Sequence, residues 1–355
     1  MSGEGSLTDT YRRLIANTGP ISLQHYMGEA NARYYTSRDP LGKTGDFVTA
    51  PEISQMFGEL IGLWLADMWI RAGRTEPVHY VELGPGKGTL ARDALRAMKR
   101  YGLEPVVHLV ESSTALKEVQ LQAVPQARFH ADLGMIPLEG PVLIVANEFL
   151  DALPVRQLVK TPEGWRERMV VFDEAEGRFA CIAGQRPMDA AVPEARRDAP
   201  EGTLLETSPG SAAVLYEAAG RLVNQGGAAL FVDYGYANPQ YGSTLQAVRG
   251  HEKVDPFVDP GEADLSALVD FDAAAQVAQS RGARWLGTIT QGQFLTTLGI
   301  EGRAEALSNF APHHRDALME AKDRLIAPDR MGDLFKVMAL ADPDWPDGAA
   351  FPPRG

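Results

Sequence analysis

Continuous apolar runs alternate with helically spaced apolar stripes along this chain. The clearest instance is residues 78–100. Residues 78–83 read as a buried strand, and Gly84-Pro85-Gly86-Lys87-Gly88 as a turn. From Thr89 onward, Leu90, Ala94, Leu95 and Met98 recur at helical spacing. Further strands are predicted at 106–110, 127–130, 141–146, 228–232, 284–290 and 334–340. Helices are predicted at 115–122, 212–224, 273–280, 291–298, 301–308 and 315–326. This alternation predicts an α/β fold, a mostly parallel seven-stranded sheet with helices on both faces.

Other segments break the pattern. A first helix is predicted over 7–17, a short element from Pro20 to about Gly28, and a polar, turn-rich stretch over 33–45. One helix is predicted from Thr49 or Ala50 to Arg71, with a stripe at Ile53, Met56, Phe57, Leu60, Ile61, Trp64, Leu65 and Met68. Within it, Gly58 and Gly62 mark close packing or a cofactor contact. Residues 155–182 read as antiparallel strands, with a short strand at 202–206. Residues 240–268 have little periodicity and read as a structureless lid or binding loop. Its acids Asp255, Asp259, Glu262 and Asp264 suit a basic protein substrate, or equally a solvated face. The expected organisation is a helical segment over 1–75, a main domain over 76–340 with insertions at about 155–206 and 240–268, and a frayed tail over 341–355.

The turn at 84–88 narrows the chemistry by what it lacks. Counted from Gly84, the dinucleotide pattern G-x-G-x-x-G wants a third glycine where Thr89 stands. Counted from Gly86, the third place holds Ala91 and the motif sits late after its strand. The phosphate-loop pattern fails at Gly86-Lys87-Gly88, and Gly42-Lys43-Thr44 has Ser37 where its upstream glycine belongs. Alone, the turn fits an ordinary strand–helix connection.

Acids at the strand ends add ligand chemistry. Glu82 precedes the turn, and Glu111 ends the next apolar run 29 residues later. An acid at the second position can accept hydrogen bonds from ribose hydroxyls. Glu82 would repel phosphate but pair with an ammonium. Both acids fit S-adenosylmethionine, which has a ribose and a methionine tail but no pyrophosphate; a nicotinamide dinucleotide is the rival. Asp132 is placed to accept from an adenine amino group, with Leu133 against the ring.

The fourth strand ends in Asn147-Glu148-Phe149-Leu150-Asp151, with Pro154 beyond, and the fifth in Asp233-Tyr234-Gly235-Tyr236. Strand carboxyl ends line the ligand crevice of open α/β sheets. Two carboxylates there can grip a guanidinium through forked hydrogen bonds. Arginine methylation needs such positioning, because the group is cationic and a poor nucleophile. The alternative for Glu148 is a cap on its own loop.

Composition changes the picture only at its margins. The 355 residues are 45% hydrophobic, enough for a sizeable core. A net charge of -13 disfavours nucleic-acid binding and suits a basic peptide. The single cysteine, Cys181, rules out an intrachain disulfide and a cysteine-based metal cluster, and no metal is invoked. Residues 1–10 are unlike a secretory leader, and the apolar stretch 60–70 is too short to span a bilayer. The expectation is a cytoplasmic protein with no transmembrane segment and with its oligomeric state open.

The motifs together resemble one family. GDFVTAPEISQMFGELIG at 45–62, VELGPGKGTL at 81–90, NEFLDALPV at 147–155, DYGY at 233–236 and MGDLFKVM at 331–338 carry the likeness, which runs from about Leu14 to Leu340. The chain is similar to the class I S-adenosylmethionine-dependent methyltransferases that include MidA and the mitochondrial complex I assembly methyltransferase. The resemblance implies a Rossmann-like sheet closed by an antiparallel pair, and S-adenosylmethionine as cofactor. It also implies an N-terminal segment over the cofactor, with Tyr34, Gly45, Asp46, Phe47 and Thr49 as contacts.

The assigned cofactor contacts are Glu82, Gly84, Pro85, Gly86, Gly88 and Thr89 at the methionine end, Glu111 and Ser112 at the ribose, Asp132 and Leu133 at the adenine, and Asn147. For catalysis, Glu148 orients a guanidinium, and Asp151 or Asp233 adds a contact or takes a proton. The paired-glutamate loop of known arginine methyltransferases is not matched, so no role is carried over from it. The resemblance implies arginine methylation in a partner protein such as a respiratory complex I subunit. The alternatives are a non-catalytic assembly scaffold and a small-molecule methyltransferase.

Overall fold

A computed structural model of the chain describes residues 6–37 and 48–353. They fall into two compact units. The larger contains a sheet of seven strands: β1 (His79–Leu83), β2 (Val106–Val110), β3 (Arg128–His130), β4 (Val142–Asn147), β5 (Gly227–Tyr236), β6 (Arg284–Thr290) and β7 (Phe335–Ala341). Their order is β3-β2-β1-β4-β5-β7-β6. Strands β1 to β5 run parallel, and β7 lies antiparallel between β5 and β6. A two-residue strand, Val269–Asp270, pairs with the end of β5.

Strands covered on both faces cannot alternate polar with apolar. Every residue of β1 is buried, as is β4 up to Ala146. Each buried branched side chain contributes roughly 1.5–3 kcal/mol. That is why these strands are continuous apolar runs, and why the acid Glu82 within β1 stands out.

Helix Gln55–Arg71 packs on helix Thr89–Lys99, which leads directly out of the glycine turn. Gly58 and Gly62 serve close packing. A Cβ at Gly62 would lie 2.3 Å from the Ala94 carbonyl oxygen, and one at Gly58 2.8 Å from Asp93 Cβ. Buried Glu59 of the first helix takes Arg96 of the second at 3.1 Å and Arg303 of helix Ile300–Phe310 at 2.7 Å. The predicted single helix from 49 or 50 to 71 is broken. Ser54 is extended, with φ -159°, and its hydroxyl accepts from the Met56 N–H, which starts a new helix after Ala50–Ile53. A serine side chain competes with the helical backbone in this way.

The tail is not frayed as far as Pro353. Trp64 Nε1 donates to the Ala349 carbonyl at 3.0 Å, the Phe351 ring lies edge-on to Trp64, and Arg284 donates to the Trp345 and Pro346 carbonyls.

The smaller unit joins residues 1–40, 151–211 and 239–268, so the expected 1–75 segment does not stay together. Its main sheet holds Arg156–Thr161, Gly164–Asp173, Arg178–Pro187 and Leu204–Thr207, with Ile21–Ser22 paired to Gly164–Asp173. Helix Leu23–Ser37 replaces the turns expected from 33 onward. Residues 240–268 are not structureless. Gln246–Arg249 is the centre of a three-stranded sheet flanked by Glu252–Val254 and Asp264–Ser266. The hairpin turns on Gly250 and His251, both with positive φ. Such two-residue turns favour Asn-Gly or Asp-Gly, and Gly-His gives no such cue. Asp264 is buried rather than on a rim. Among the described residues, no helix is long and apolar enough to cross a membrane.

Candidate functional site

The carboxyl ends of β1 to β5 bring most of the expected residues of the larger unit to one edge of the sheet. Gly84, Gly86 and Gly88 all have positive φ (60°, 53° and 78°), a conformation that side chains disfavour. At Gly84 space forbids a side chain as well, because a Cβ would lie 2.7 Å from the Phe149 ring. The turn therefore adjoins the loop after β4. Pro85 and Gly88 are buried, and Thr89 is the first residue of the helix.

Glu82 is buried, and its Oε2 accepts from the Tyr80 hydroxyl at 2.6 Å. Burial pushes its carboxyl up to about 8, with the Tyr80 bond pulling back. Near neutral pH this acid is mostly protonated and able to ionise beside a cation.

At the end of β2, Glu111 Oε1 accepts the Ser113 N–H at 2.7 Å, while Oε2 accepts Gln120 Nε2 at 3.1 Å. Ser112 is exposed. After β3, Asp132 is exposed and Leu133 buried. That loop is anchored by Arg221 from helix Pro209–Gln225, which donates to the carbonyls of Gly134 and Ile136, each at 2.7 Å. Beneath it three imidazoles cross the sheet. His79 Nε2 lies 2.7 Å from the Glu139 carbonyl, His79 Nδ1 2.9 Å from His108 Nε2, and His108 Nδ1 2.9 Å from His130 Nε2. A carbonyl only accepts, so in a neutral chain each ring donates from Nε2. Burial pushes His108 down to about 4, which keeps it neutral.

The end of β4 is the most unusual place. Glu148 has φ +51°, a left-handed conformation for a residue with a side chain. Its Oε1 accepts from the Ala50 N–H at 3.1 Å and from Asn147 Nδ2 at 3.0 Å; among the described residues, Oε2 takes no hydrogen bond. Burial pushes the carboxyl up to about 7, against the pull of those two donors and the charge of Arg324. Asn147 Oδ1 is buried without a hydrogen-bond partner among the described residues. The strained backbone is held from below. Asp233 Oδ2 accepts the N–H groups of Phe149 at 3.1 Å and Leu150 at 2.8 Å, and Oδ1 accepts that of Tyr234 at 2.9 Å. Asp233, expected as a catalytic acid, thus accepts from three main-chain N–H groups.

Thr49 caps the short helix Ala50–Ile53 with its carbonyl. Gly45, Asp46 and Phe47 lie outside the described residues. Tyr34 and Asp151 belong to the smaller unit. Tyr34 is buried edge-on against Tyr35, and the Asp151 carbonyl accepts from the Ala267 N–H at 3.0 Å. Sequence reading missed Gln120, Arg221 and the Ala50 N–H. Arg221 left a trace as a lone cation beside Ala218, Ala219 and Leu222. Gln120 left none, and a main-chain donor leaves none by nature.

Residues 60–289 match the family model described as "Putative S-adenosyl-L-methionine-dependent methyltransferase". The mouse (Mus musculus) protein arginine methyltransferase NDUFAF7, mitochondrial, is 36% identical over 92% of this chain and 82% of its own length. The Homo sapiens protein of that name is 35% identical, over 95% and 84% respectively. A crystal structure from Burkholderia thailandensis, bound to S-adenosyl-homocysteine, superposes with a TM-score of 0.83 at 29% identity, covering 97% of this chain and 94% of that one. The relatives are named as mitochondrial proteins, which overturns the expectation of a cytoplasmic one.

Proposed function

This chain belongs to the family of S-adenosyl-L-methionine-dependent methyltransferases, and from that premise we propose that it methylates an arginine side chain of a partner protein. The observation that carries the reading is Glu148, held in a strained backbone at the end of β4 with its carboxyl near 7 and, among the described residues, no hydrogen bond to Oε2. Strain of this kind persists where the surroundings over-determine it, and clusters at functional sites.

The residues of the turn fit the cofactor. Three glycines with positive φ leave the main chain of the turn without side chains for the methionine end, and Glu82 takes its ammonium. Glu111 receives the ribose, and Asp132 and Leu133 the adenine. When bound, S-adenosylmethionine supplies an electrophilic methyl group on its sulfonium. The protein's part is positioning. Glu148 Oε2 accepts from the guanidinium, draws its positive charge to one side and aims the opposite nitrogen; after transfer that nitrogen loses its extra proton to solvent or to the Glu148 carboxylate. Asn147 Oδ1 is the second acceptor at this strand end. Asp233 acts as a positioning residue for the 148–150 backbone, and Asp151 carries no role in this proposal. The named activity of the relatives supports a protein acceptor, and a respiratory complex I subunit is the acceptor we propose.

The test is transfer of labelled methyl groups into an extract from cells lacking this protein, followed by mass-spectrometric mapping. Label on an arginine of a respiratory subunit is the expected result. Label only in a metabolite would overturn the proposal.

The state of Glu82 gives an independent check. An ammonium beside a carboxyl near 8 lowers its pKa, so binding at pH 7 should release about one proton, and affinity should rise from pH 6 towards 8. Calorimetry in two buffers of different ionisation enthalpy reads that proton. Glu82→Gln should bind more weakly and release none; equal release in both proteins would remove Glu82 from the site.

A further inference from the structure

Helix Thr114–Ala123 carries Gln120, fully buried, with an amide that donates twice from Nε2. One bond goes to the Gly86 carbonyl oxygen at 2.7 Å, the other to Glu111 Oε2 at 3.1 Å. Both neighbours are acceptors, so chemistry sets the orientation of the amide: turned over, Oε1 would face two oxygens. The same orientation leaves Oε1 buried without a hydrogen-bond partner among the described residues. Were packing the only need at position 120, an aliphatic side chain would serve it better, since a buried polar atom without a partner is destabilising. The helix also lies against the turn. A Cβ at Gly88 would sit 3.3 Å from Ala123 Cβ and 3.5 Å from Gln120 Cα. With Ser113 N–H on Oε1 and Gln120 on Oε2, the Glu111 carboxylate is held at both oxygens before any ligand arrives.

We propose that Gln120 is a positioning residue for the cofactor. Its amide ties the glycine turn at the methionine end to the carboxylate at the ribose end, so the two half-sites are preorganised as one. The proposal rests on the assignment of the turn and Glu111 to S-adenosylmethionine given above. Preorganisation raises affinity by removing the cost of ordering the groups on binding.

Gln120→Leu keeps most of the volume and removes both the bridge and the partnerless oxygen. Its unliganded thermal midpoint is expected to change little, because relief of the partnerless oxygen offsets the two bonds lost, while the Kd for S-adenosyl-homocysteine, read by calorimetry, rises about tenfold. The KM for S-adenosylmethionine should rise with it and that for the protein substrate should not. Glu111→Ala should cost less affinity in the Gln120→Leu background than in the native chain, because the two act through one contact. Gln120→Glu places a carboxylate against two acceptors. It should bind more weakly than Gln120→Leu at pH 8 and, measured against the native chain at the same pH, recover part of the loss at pH 5.5, where protonation restores one donor; it carries the test alone if Gln120→Leu folds poorly. Native affinity in Gln120→Leu with weakened binding in Glu111→Ala would overturn the inference and leave the cofactor assignment standing. Native affinity in Glu111→Ala as well would overturn that assignment. Additive losses accompanied by a lowered midpoint would make Gln120 a packing residue and overturn the inference.

Discussion

Replacing Glu148 with glutamine is expected to lower the rate of methyl transfer by roughly 10²- to 10³-fold and to leave S-adenosylmethionine affinity nearly unchanged. The glutamine carbonyl can still accept from the Ala50 N–H and Asn147 Nδ2, the two bonds that hold Oε1. What it loses is the charge that localises the guanidinium. The sign of the pH dependence follows from the raised carboxyl. The ionised form is the one that grips the guanidinium, and burial moves ionisation up to about 7. With S-adenosylmethionine saturating, kcat/KM for the protein substrate should therefore climb in the native chain as pH rises from 6 to 8, and Glu148→Gln should lose that limb. Glu148→Asp keeps the charge but withdraws it by one methylene, and should fall between the two. Arginine transfer at the native rate by Glu148→Gln, or the same rising limb in it, would sink the assignment.

Gly62→Val is expected to destabilise the larger unit by about 3 kcal/mol or more, the largest stability effect foreseen for a single change here. The added Cβ would lie 2.3 Å from the Ala94 carbonyl oxygen and 2.7 Å from Ala94 Cα. Both belong to a helix backbone and cannot rotate aside. Helix Thr89–Lys99 must then move, and with it Gly88 and the turn, so cofactor affinity should fall together with stability. Gly102→Ala is the control. Gly102 has φ +76° but nothing within 4 Å of a built Cβ, so only backbone strain of about 1 kcal/mol is added. Urea unfolding of the two variants separates contact from strain. If Gly62→Val unfolds at the same midpoint as Gly102→Ala, the helix contact is looser than the distances say.

The structure changes what several motifs mean. DYGY at 233–236 reads as a strand end carrying a catalytic acid, and the Asp233 carboxylate there accepts from three main-chain N–H groups. The pair Gly58 and Gly62 read as packing or cofactor contact, and their Cβ positions fall on the neighbouring helix. In each case the residue type was legible in the sequence and its partner was not.

The sequence by itself determined the sheet and the kind of chemistry at its edge. Parallel strands buried on both faces must be apolar almost throughout, so β2 matches its apolar run from end to end and β1 and β4 to within a residue. Glycines in a turn and acids at strand ends are local facts of composition, so Glu82, Glu111 and Glu148 could be picked out before any fold was known. Tertiary structure alone decided what depends on residues far apart in the chain. It decided that Ala50 and Asn147 both hold Glu148 Oε1, that Asp233 pins the loop 84 residues before it, and that Gln120 joins Gly86 to Glu111. It decided too that the tail docks on Trp64 and that residues 246–266 form a sheet. Periodicity records which face of an element is buried, because burial acts on each residue separately. A hydrogen bond between distant residues depends on both partners at once and leaves no pattern in either stretch alone.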